Sequence, residues 1–312
     1  MTEVVTAGEA MGLVRADGLV RHGGAARLSI AGAESNVAIG LARLGHTARW
    51  VGVVGADQLG ALVVRTLRAE GVDVSHVRTG TGATGVLVRE DRLAGVAHVD
   101  YHRRGSAGGE LRPDDVATAL TDGTRLVHVS GVTPALGPTC AAAVLELVRR
   151  ARERGAAVCL DVNYRSRLWS AAEAARTLRT LLPHVDVVAA SDDEIGLLTD
   201  AADAAAGAAA LVDAGVREVV VTLGSAGALV RTGDGTTTVP ARPVRAVDLV
   251  GAGDAFVAGY LSALLDGLAV PDRLDRGAAV AAFAVGAAGD WEGLPTRGEL
   301  ALLDVPPEGV VR

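Results

Sequence analysis

The sequence contains no lysine, and all 30 of its basic residues are arginine. A Walker A phosphate-binding loop, the ion pair of a protein kinase and a Schiff-base enzyme each depend on a lysine amine. These three classes are therefore excluded. If the protein transfers a phosphoryl group, backbone amides, arginine and a metal ion must stabilise the charge that develops.

Cysteine is also scarce, with only Cys140 and Cys159 among 312 residues. Two cysteines are too few for a disulfide framework and lack the spacing of a metal site, which favours a reducing compartment, and we expect the cytoplasm. No basic leader opens the chain, and no continuous apolar segment has the roughly 18 residues of a membrane span. A net charge of −7 without a basic block argues against nucleic acid as a partner. We therefore expect neither membrane nor nucleic-acid binding, and an anionic substrate must be held by local arginines.

Apolar strands alternate with amphipathic helices along most of the chain, and 49% of the residues are hydrophobic. This pattern is typical of α/β proteins in which helices cover both faces of a mostly parallel sheet. Two β-rich segments, at about 11–31 and 80–106, interrupt the alternation. We predict one domain over residues 1–312, with these segments forming a small sheet that serves as a lid. The lid should lie over the carboxyl ends of the strands, where α/β proteins place their sites.

The segment 248–254 (DLVGAGD) combines a glycine turn with the start of a predicted helix. Gly251 and Gly253 let the backbone approach a ligand, and the unpaired amides of a helix N-terminus bind anions. A carboxylate in the same turn does not suit a site that only holds phosphate. We therefore predict that Asp254 removes a proton from a hydroxyl while the amides around Gly251, Ala252 and Gly253 hold the phosphoryl group.

Two other interpretations of this segment stay open. The dinucleotide fingerprint Gly-x-Gly-x-x-Gly/Ala fits its glycines but fails at the third position, which is Phe256. An acidic residue beside the fingerprint would also repel pyrophosphate. In the second interpretation, Asp254 only complements the dipole of the helix in whose first turn it lies.

A polar strand near residue 100 supplies another candidate surface. Because side chains alternate along a strand, Tyr101 and Arg103 share one face, which we predict to face the ligand. His98, Asp100 and His102 share the other face. Two histidines and a carboxylate can bind a metal, although a solvated or interface surface is the alternative.

Polar residues also follow the predicted strands in the second half of the chain. Arg165 can clamp a carboxylate or phosphate with its planar guanidinium, or form a salt bridge with Asp161. The segment 191–194 (SDDE) follows a strand predicted at 185–189, and its carboxylates can complement a helix dipole or hold Mg²⁺. The segment 222–227 (TLGSAG) fits either a backbone-lined nucleotide pocket or a plain turn.

Taken together, these segments resemble the ribokinase-like, or PfkB, sugar kinases, whose carboxyl-terminal signature is similar to 248–254. The resemblance covers essentially the whole chain. Its other parts are the helix start at 32–36, the segment 52–60 (GVVGADQLG), the segment 191–194 with Ser191 in place of the family's asparagine, and the segment 222–227. It implies a three-layer sandwich with a β-sheet lid and an ATP-dependent transfer of phosphate to an alcohol, with a Gly-Ala-Gly-Asp anion hole.

Several stretches are similar to one group within that family, the 2-keto-3-deoxygluconate kinases. These are the segments 8–9 (GE), 32–38 (GAESNVA), 101–107 (YHRRGSA), 130–136 (SGVTPAL) and 161–169 (DVNYRSRLW). The resemblance implies that the substrate contacts Gly32, Asn36, Tyr101, Arg103, Arg165 and Asp254. It implies that ATP contacts Ser191, Thr222, Gly224, Gly227, Gly251 and Gly253.

Two positions depart from the pattern of that group, and they bear on the choice of sugar. Ala31 replaces the first glycine of the usual pair. Leu87 stands where such kinases can carry a tyrosine that contacts the substrate. For the metal, we expect Mg²⁺ near Glu194, with Asp248 as a second candidate ligand. A monovalent cation such as K⁺ is a further candidate cofactor.

The sequence therefore predicts an ATP-dependent kinase that phosphorylates a primary hydroxyl, with 2-keto-3-deoxygluconate converted to its 6-phosphate. Asp254 should be fully ionised beside the amides, and Arg103 and Arg165 should hold the anionic end of the substrate. Fructose, ribose, 2-keto-3-deoxygalactonate or a nucleoside are alternative substrates. A nicotinamide-dependent dehydrogenase and a non-catalytic sugar-binding or regulatory protein are alternatives of another class. We expect a homo-oligomer, with a dimer formed through the lid.

Overall fold

The chain forms two β-sheets flanked by helices in this computed structural model, which describes residues 2–93, 96–201 and 203–305. The strands are β1 Val4–Ala7, β2 Met11–Ala16, β3 Ala26–Ala31, β4 Ala48–Val54, β5 Val77–Thr79, β6 Val86–Leu93, β7 Val96–His102, β8 Leu126–Ser130, β9 Ala157–Asp161, β10 Val187–Ser191, β11 Glu218–Thr222, β12 Ala228–Thr232 and β13 Gly235–Val239. The α-helices are α1 Ala33–Arg43, α2 Gln58–Ala69, α3 Pro113–Val116, α4 Pro138–Glu153, α5 Ala171–Arg179, α6 Ala204–Asp213, α7 Ala252–Leu265 and α8 Val270–Val285. The predicted domain span 1–312 and the predicted lid segment 80–106 each include a few residues outside the described ranges.

The larger sheet has the strand order β13-β12-β11-β10-β9-β8-β1-β4-β5. Pairing is parallel from β5 to β11, and β12 and β13 extend the sheet in antiparallel fashion. The register sets Ser130 beside Asp161 and Ser191 beside Thr222. Because parallel strands end at the same edge of a sheet, these four polar residues lie along one carboxyl edge.

Helices cover both faces of this sheet, as the alternation of apolar strands and helices predicts. Neighbouring residues of β1 point to opposite faces, so Val4 packs in one core and Val5 in the other. One core includes Leu147 of α4, and the other includes Leu41 of α1 and Leu261 of α7. We call this three-layer part of the molecule the body.

The second sheet has the order β3-β2-β6-β7 and is much smaller. Among its described residues, Met11, Leu13, Ala31 and Leu87 form a small apolar core, and Ile30 of β3 packs instead into a core of the body. All four strands lie in the two segments that interrupt the alternation of strands and helices. We call this sheet the lid.

Two elements differ from the pattern in the sequence. The pattern predicts a helix over 113–120, whereas α3 ends at Val116, and the carbonyl of Ala119 accepts a hydrogen bond from Arg49 at 2.6 Å. The strand predicted at 185–189 begins two residues later, at Val187, and the carboxylate of the preceding Asp186 accepts from the amide of Val158 at 2.9 Å. Within the described ranges, no helix has both the length and the apolar character that crossing a bilayer requires.

Candidate active site

A cavity of about 540 Å³ is lined by the carboxyl edge of the body and by the lid. The lining includes most of the residues that the sequence predicts for the site. These are Gly32, Asn36, Tyr101, Arg103, Arg165, Ser191, Glu194, Thr222, Gly251, Gly253 and Asp254. Four predicted residues, Gly224, Gly227, Asp248 and Ala252, lie outside the lining.

The turn that opens α7 requires glycine at position 251. Gly251 has a φ of +77°, and a Cβ there would collide with the carbonyl oxygen of Asp290. The amide of Ala252 makes a long hydrogen bond of 3.4 Å to Leu249, whereas no acceptor among the described residues takes the amides of Gly253 or Asp254. The helix start therefore presents two open N–H donors, the arrangement that binds anions.

Asp254 lies in the same first turn and is only 9% exposed. Asn36 of α1 donates to its Oδ2 atom at 2.8 Å, and Asn163 donates to its Oδ1 atom at 3.4 Å. Burial raises the pKa of Asp254 to about 6, although the hydrogen bond from Asn36 and the charge of Arg165 oppose the rise. The expectation of full ionisation is therefore wrong near pH 6, whereas above pH 7 the carboxylate predominates and is more basic than an ordinary aspartate.

Asn163 is a member of this site that sequence reasoning missed. It follows β9 and has a φ of +36°, the only positive φ among the described non-glycine residues. Its amide donates to Asp161 at 3.1 Å as well as to Asp254, which lies 91 positions away in the sequence. Burial and the nearby charges of Glu194 and Asp254 hold the pKa of Asp161 well above its usual range. An unusual backbone conformation here serves to place one amide between two carboxyl groups.

The two arginines predicted to hold an anionic substrate have different surroundings. Arg103 forms a buried ion pair with Glu9, which also accepts from Ser106 at 2.9 Å. Arg165 is exposed, and no described carboxylate lies within ion-pair distance of it. Asp161 accepts from Asn163 instead, so the alternative salt bridge between Asp161 and Arg165 is absent from the described residues. Arg165 is therefore the cation with more positive charge available at the cavity.

Glu194 and Asp248, the two candidate metal ligands, are both held by hydrogen bonds. The two carboxylate oxygens of Glu194 accept from the amides of Tyr164 at 2.7 Å and Ser191 at 3.0 Å, and the side chain borders the cavity. Asp248 is instead paired with Arg89 of the lid. No group of three or more described His, Cys, Asp or Glu residues is arranged to hold a metal ion. The site fits Mg²⁺ bound by one carboxylate and by the phosphates of a nucleotide, the way proteins commonly hold this ion.

The predicted nucleotide residues divide into two sets. Ser191 and Thr222 end neighbouring strands and line the cavity. Gly224 and Gly227 form the turn after β11, where Leu223 donates to the carbonyl of Gly227 at 2.8 Å. A Cβ at Gly227 would collide with the carbonyl of Val239, so this glycine serves the turn itself.

The lid contributes Tyr101, Leu87 and Arg89 to the lining. Leu87 belongs both to the lining and to the small core of the lid. On the far side of β7, His98 lies 3.3 Å from Asp100, and both side chains are exposed. Neither borders this cavity, so a solvated surface describes that face better than a metal site.

Asp290 is a second lining residue without a signal in the sequence. It is buried between α8 and the 3-10 helix Arg297–Asp304, and burial together with the charge of Asp254 raises its pKa to about 7. A single aspartate after a Gly/Ala-rich helix gives no pattern from which such a location could be predicted.

Comparisons with known proteins agree with this geometry. A model of the pfkB family of carbohydrate kinases matches residues 1–297. A 2-dehydro-3-deoxygluconokinase from Bacillus subtilis is 36% identical over 308 residues, which are 96% of this chain and 94% of that protein. A 2-dehydro-3-deoxygalactonokinase from Haloferax volcanii is 37% identical over 81% of this chain and 80% of its own length. The crystal structure of a PfkB protein from Polaromonas sp. JS666 is 36% identical, with a TM-score of 0.87 over 96% of this chain and 99% of that one. The fold predicted from the sequence is thereby confirmed.

Proposed function

Because this chain belongs to the pfkB family of carbohydrate kinases and is an ATP-dependent sugar kinase, we propose that its substrate is 2-keto-3-deoxygluconate. This sugar acid is also called 2-dehydro-3-deoxygluconate, the compound in the name of the Bacillus subtilis relative. The product would be the 6-phosphate. Membership of a kinase family argues against the alternative of a nicotinamide-dependent dehydrogenase. The proposed base and anion hole favour an enzyme over the other alternative, a sugar-binding or regulatory protein without activity.

The observation that carries the proposed mechanism is the position of Asp254 beside two open amides. Its carboxylate is the proposed base for the primary hydroxyl of the sugar, and Asn36 and Asn163 orient it. The amides of Gly253 and Asp254 are proposed to stabilise the phosphoryl group in transfer, with Gly251 shaping the turn. A base with a pKa of about 6 is sufficient, because a loose transition state transfers the proton late.

We assign ATP to the part of the cavity near Ser191, Thr222 and the start of α7. Mg²⁺ bound near Glu194 would neutralise charge on the phosphates. Dependence on a monovalent cation such as K⁺ stays a prediction, and it is tested by measuring the rate in sodium, potassium and tetramethylammonium salts of equal ionic strength.

The charge of the cavity supports an acidic substrate rather than a neutral one. The protein has a net charge of −7, so long-range electrostatics repel an anion. Arg165 is exposed at the cavity without a described carboxylate partner, and its planar guanidinium matches a carboxylate. Arg103 supplies less free charge because Glu9 neutralises it.

A screen of ADP release tests the choice of substrate. We expect the highest kcat/KM with 2-keto-3-deoxygluconate, a lower value with its galactose epimer, and much lower values with fructose, ribose and nucleosides. In Arg165→Gln the preference for the acids over fructose should fall by roughly tenfold, as for loss of one charge-assisted hydrogen bond. A wild-type preference for fructose or ribose would contradict the proposal, while ADP release with them would still agree with a sugar kinase.

We also propose that the protein acts in the cytoplasm as a homo-oligomer, with the lids of two subunits in contact. Both cysteines are free and buried, which suits a reducing compartment. On the lid, Leu28 is 63% exposed, which supports a contact with a second subunit. Light scattering of the wild type and Leu28→Asp tests the interface, and a monomeric wild type would contradict it.

A further inference from the structure

A buried ion pair joins the lid to the loop that precedes α7. Arg89 in β6 and Asp248 lie 159 positions apart in the sequence. Nη2 of Arg89 donates a hydrogen bond to Oδ1 of Asp248 at 3.0 Å, and Nη1 lies 2.8 Å from Oδ2 as an ion-pair contact. The two side chains are only 7% and 3% exposed. The pair is therefore a buried, charge-assisted contact, and neither group is left to solvent.

Asp248 also accepts hydrogen bonds from two backbone segments that lie next to Gly251 in the fold. Its Oδ1 atom accepts from the amide of Val250 at 3.1 Å, and its Oδ2 atom accepts from the amide of Gly289 at 3.2 Å. Val250 directly precedes Gly251, and Gly289 directly precedes Asp290, whose carbonyl lies against Gly251. The carboxylate of Asp248 thus binds both chain segments that surround Gly251, one at Val250 and the other at Gly289.

Two other contacts between described residues of the lid and the body lack this connection. Ser29 of β3 donates to Glu292 at 2.5 Å, and Arg167 donates to the carbonyl of Val99 in β7 at 2.9 Å. Both contacts hold the lid in place, but neither involves the segment 248–251. They therefore offer a way to separate attachment of the lid from an effect on the turn.

We propose that Arg89 is a positioning residue that couples the lid to the amides at the start of α7. Through Asp248 it sets the place of Val250 and Gly251, so the anion hole has its active geometry when β6 lies on the body. This inference rests on the proposed role of those amides in phosphoryl transfer. The ion pair of Arg89 and Asp248 would then affect the rate of phosphoryl transfer as well as attach the lid to the body.

The first test compares Arg89→Met with Ser29→Ala as the matched control. We expect kcat of Arg89→Met to fall roughly 10- to 100-fold, somewhat less than the loss of a whole oxyanion-hole donor, with little change in the KM of the sugar. Arg89→Lys should recover part of the rate, and Ser29→Ala should keep the kcat of the wild type. Because Arg89 also lines the cavity, a rise in sugar KM at unchanged kcat would make it a substrate ligand and overturn the proposal.

The second test is a double-mutant cycle with Asp248→Asn. If Arg89 acts through Asp248, the double variant should lose no more rate than the worse single variant, whereas independent roles would make the losses multiply. The double variant also removes both charges, so it avoids the uncompensated buried carboxylate that can prevent Arg89→Met from folding. Losses that multiply would overturn the proposal.

The variant Asp254→Asn separates the proposed coupling through Arg89 from the proposed role of Asp254 as the base. If Asp254→Asn keeps its turnover, the proposed mechanism fails. If Asp254→Asn is inactive while Arg89→Met keeps the kcat of the wild type, only the coupling through Arg89 fails.

Discussion

The body and the lid differ in how they are stabilised and in what they bring to the cavity. The body packs its sheet between two large apolar cores, whereas the small core of the lid contains four described buried apolar side chains. Asp254, Asn36 and Asn163 belong to the body, on helix starts and at a strand end. Tyr101 and Leu87 belong to the lid. We propose that Asp254 and its partners in the body carry the chemistry, and that the lid contributes to the choice of sugar.

The thin core of the lid explains why charged contacts attach it. The three large side chains of this core contribute about 5–9 kcal/mol, at roughly 1.5–3 kcal/mol for each, which is little beside the two large cores of the body. The ion pairs of Arg103 with Glu9 and of Arg89 with Asp248 are both buried, so removing one partner would leave an uncompensated charge. We therefore expect substitutions at Asp254 and its amide partners in the body to change kcat, and a conservative substitution at Tyr101 in the lid to change KM. Arg89 is the lid residue proposed to affect kcat, through Asp248.

The strongest test on the body is Asp254→Asn. The variant keeps the shape of the side chain but removes the base, so we expect kcat to fall by roughly 10²–10⁴. Asp272→Asn is the matched control, because Asp272 also lies in the first turn of a helix but is exposed. Steady-state ADP release measures both, and near-normal turnover of Asp254→Asn would remove the assigned role.

The second test is the dependence of kcat/KM on pH. Burial raises the pKa of Asp254 to about 6, and a base must be deprotonated to act. The rate should therefore be level at higher pH and fall about tenfold per unit below pH 6, roughly 100-fold by pH 4. Circular dichroism at each pH checks that the fold persists.

The fall in rate at low pH, which we call the acidic limb, has a second candidate source. Asp290 is also a buried carboxyl group of the cavity, and its pKa is raised to about 7. Repeating the profile with Asp290→Asn separates the two groups. The limb should stay in this variant and hardly move, because Asp290, with a pKa of about 7, is already mostly protonated where Asp254 titrates. A limb that disappears would assign it to Asp290 and contradict the prediction.

The third test concerns the hydrogen bond that Asn163 donates to Asp254 within the body. Asn163→Gly keeps a residue that tolerates the φ of +36° but removes the amide. We expect kcat to fall roughly tenfold, the low end for a hydrogen bond to a charged group, because the contact is 3.4 Å long. The acidic limb should also move to higher pH, because the lost donor favours the charged form. An unchanged kcat and limb would mean that Asn36 alone orients the base.

Much of the fold could be predicted from the sequence, because the period of the apolar residues determines it. The alternation of strands and helices predicts the parallel sheet, and the interrupting segments predict the lid. The three-residue strand β5 carries no such period, since it is defined by its pairing with β4. The contact of Ala119 with Arg49, after the end of α3, joins residues 70 positions apart in the sequence.

The sequence predicts which residues lie at the strand ends of the site. It does not predict which hydrogen-bond or ion-pair partner each side chain has. The rule that polar residues collect at the carboxyl edge selects Arg165, Ser191 and Thr222, and all three line the cavity. The same rule says nothing about the partner that each side chain finds. The contacts of Asn163 with Asp254 and of Arg89 with Asp248 join distant segments, so they require the folded chain.

The smallest effect is expected in the lid, from Tyr101→Phe. The guanidinium of Arg103 lies 5.5 Å from the centre of the Tyr101 ring, and phenylalanine preserves this contact while losing only the hydroxyl. A neutral hydrogen bond contributes about 0.5–1.5 kcal/mol, so we expect the KM of the sugar to rise roughly 2- to 10-fold. The acidic limb near pH 6 and kcat should stay as in the wild type, because Asp254 belongs to the body. The KM of ATP is the internal control. A fall in kcat at unchanged sugar KM would show that Tyr101, like Arg89, acts on the chemical step, and the assignment of Tyr101 to substrate binding would then be wrong.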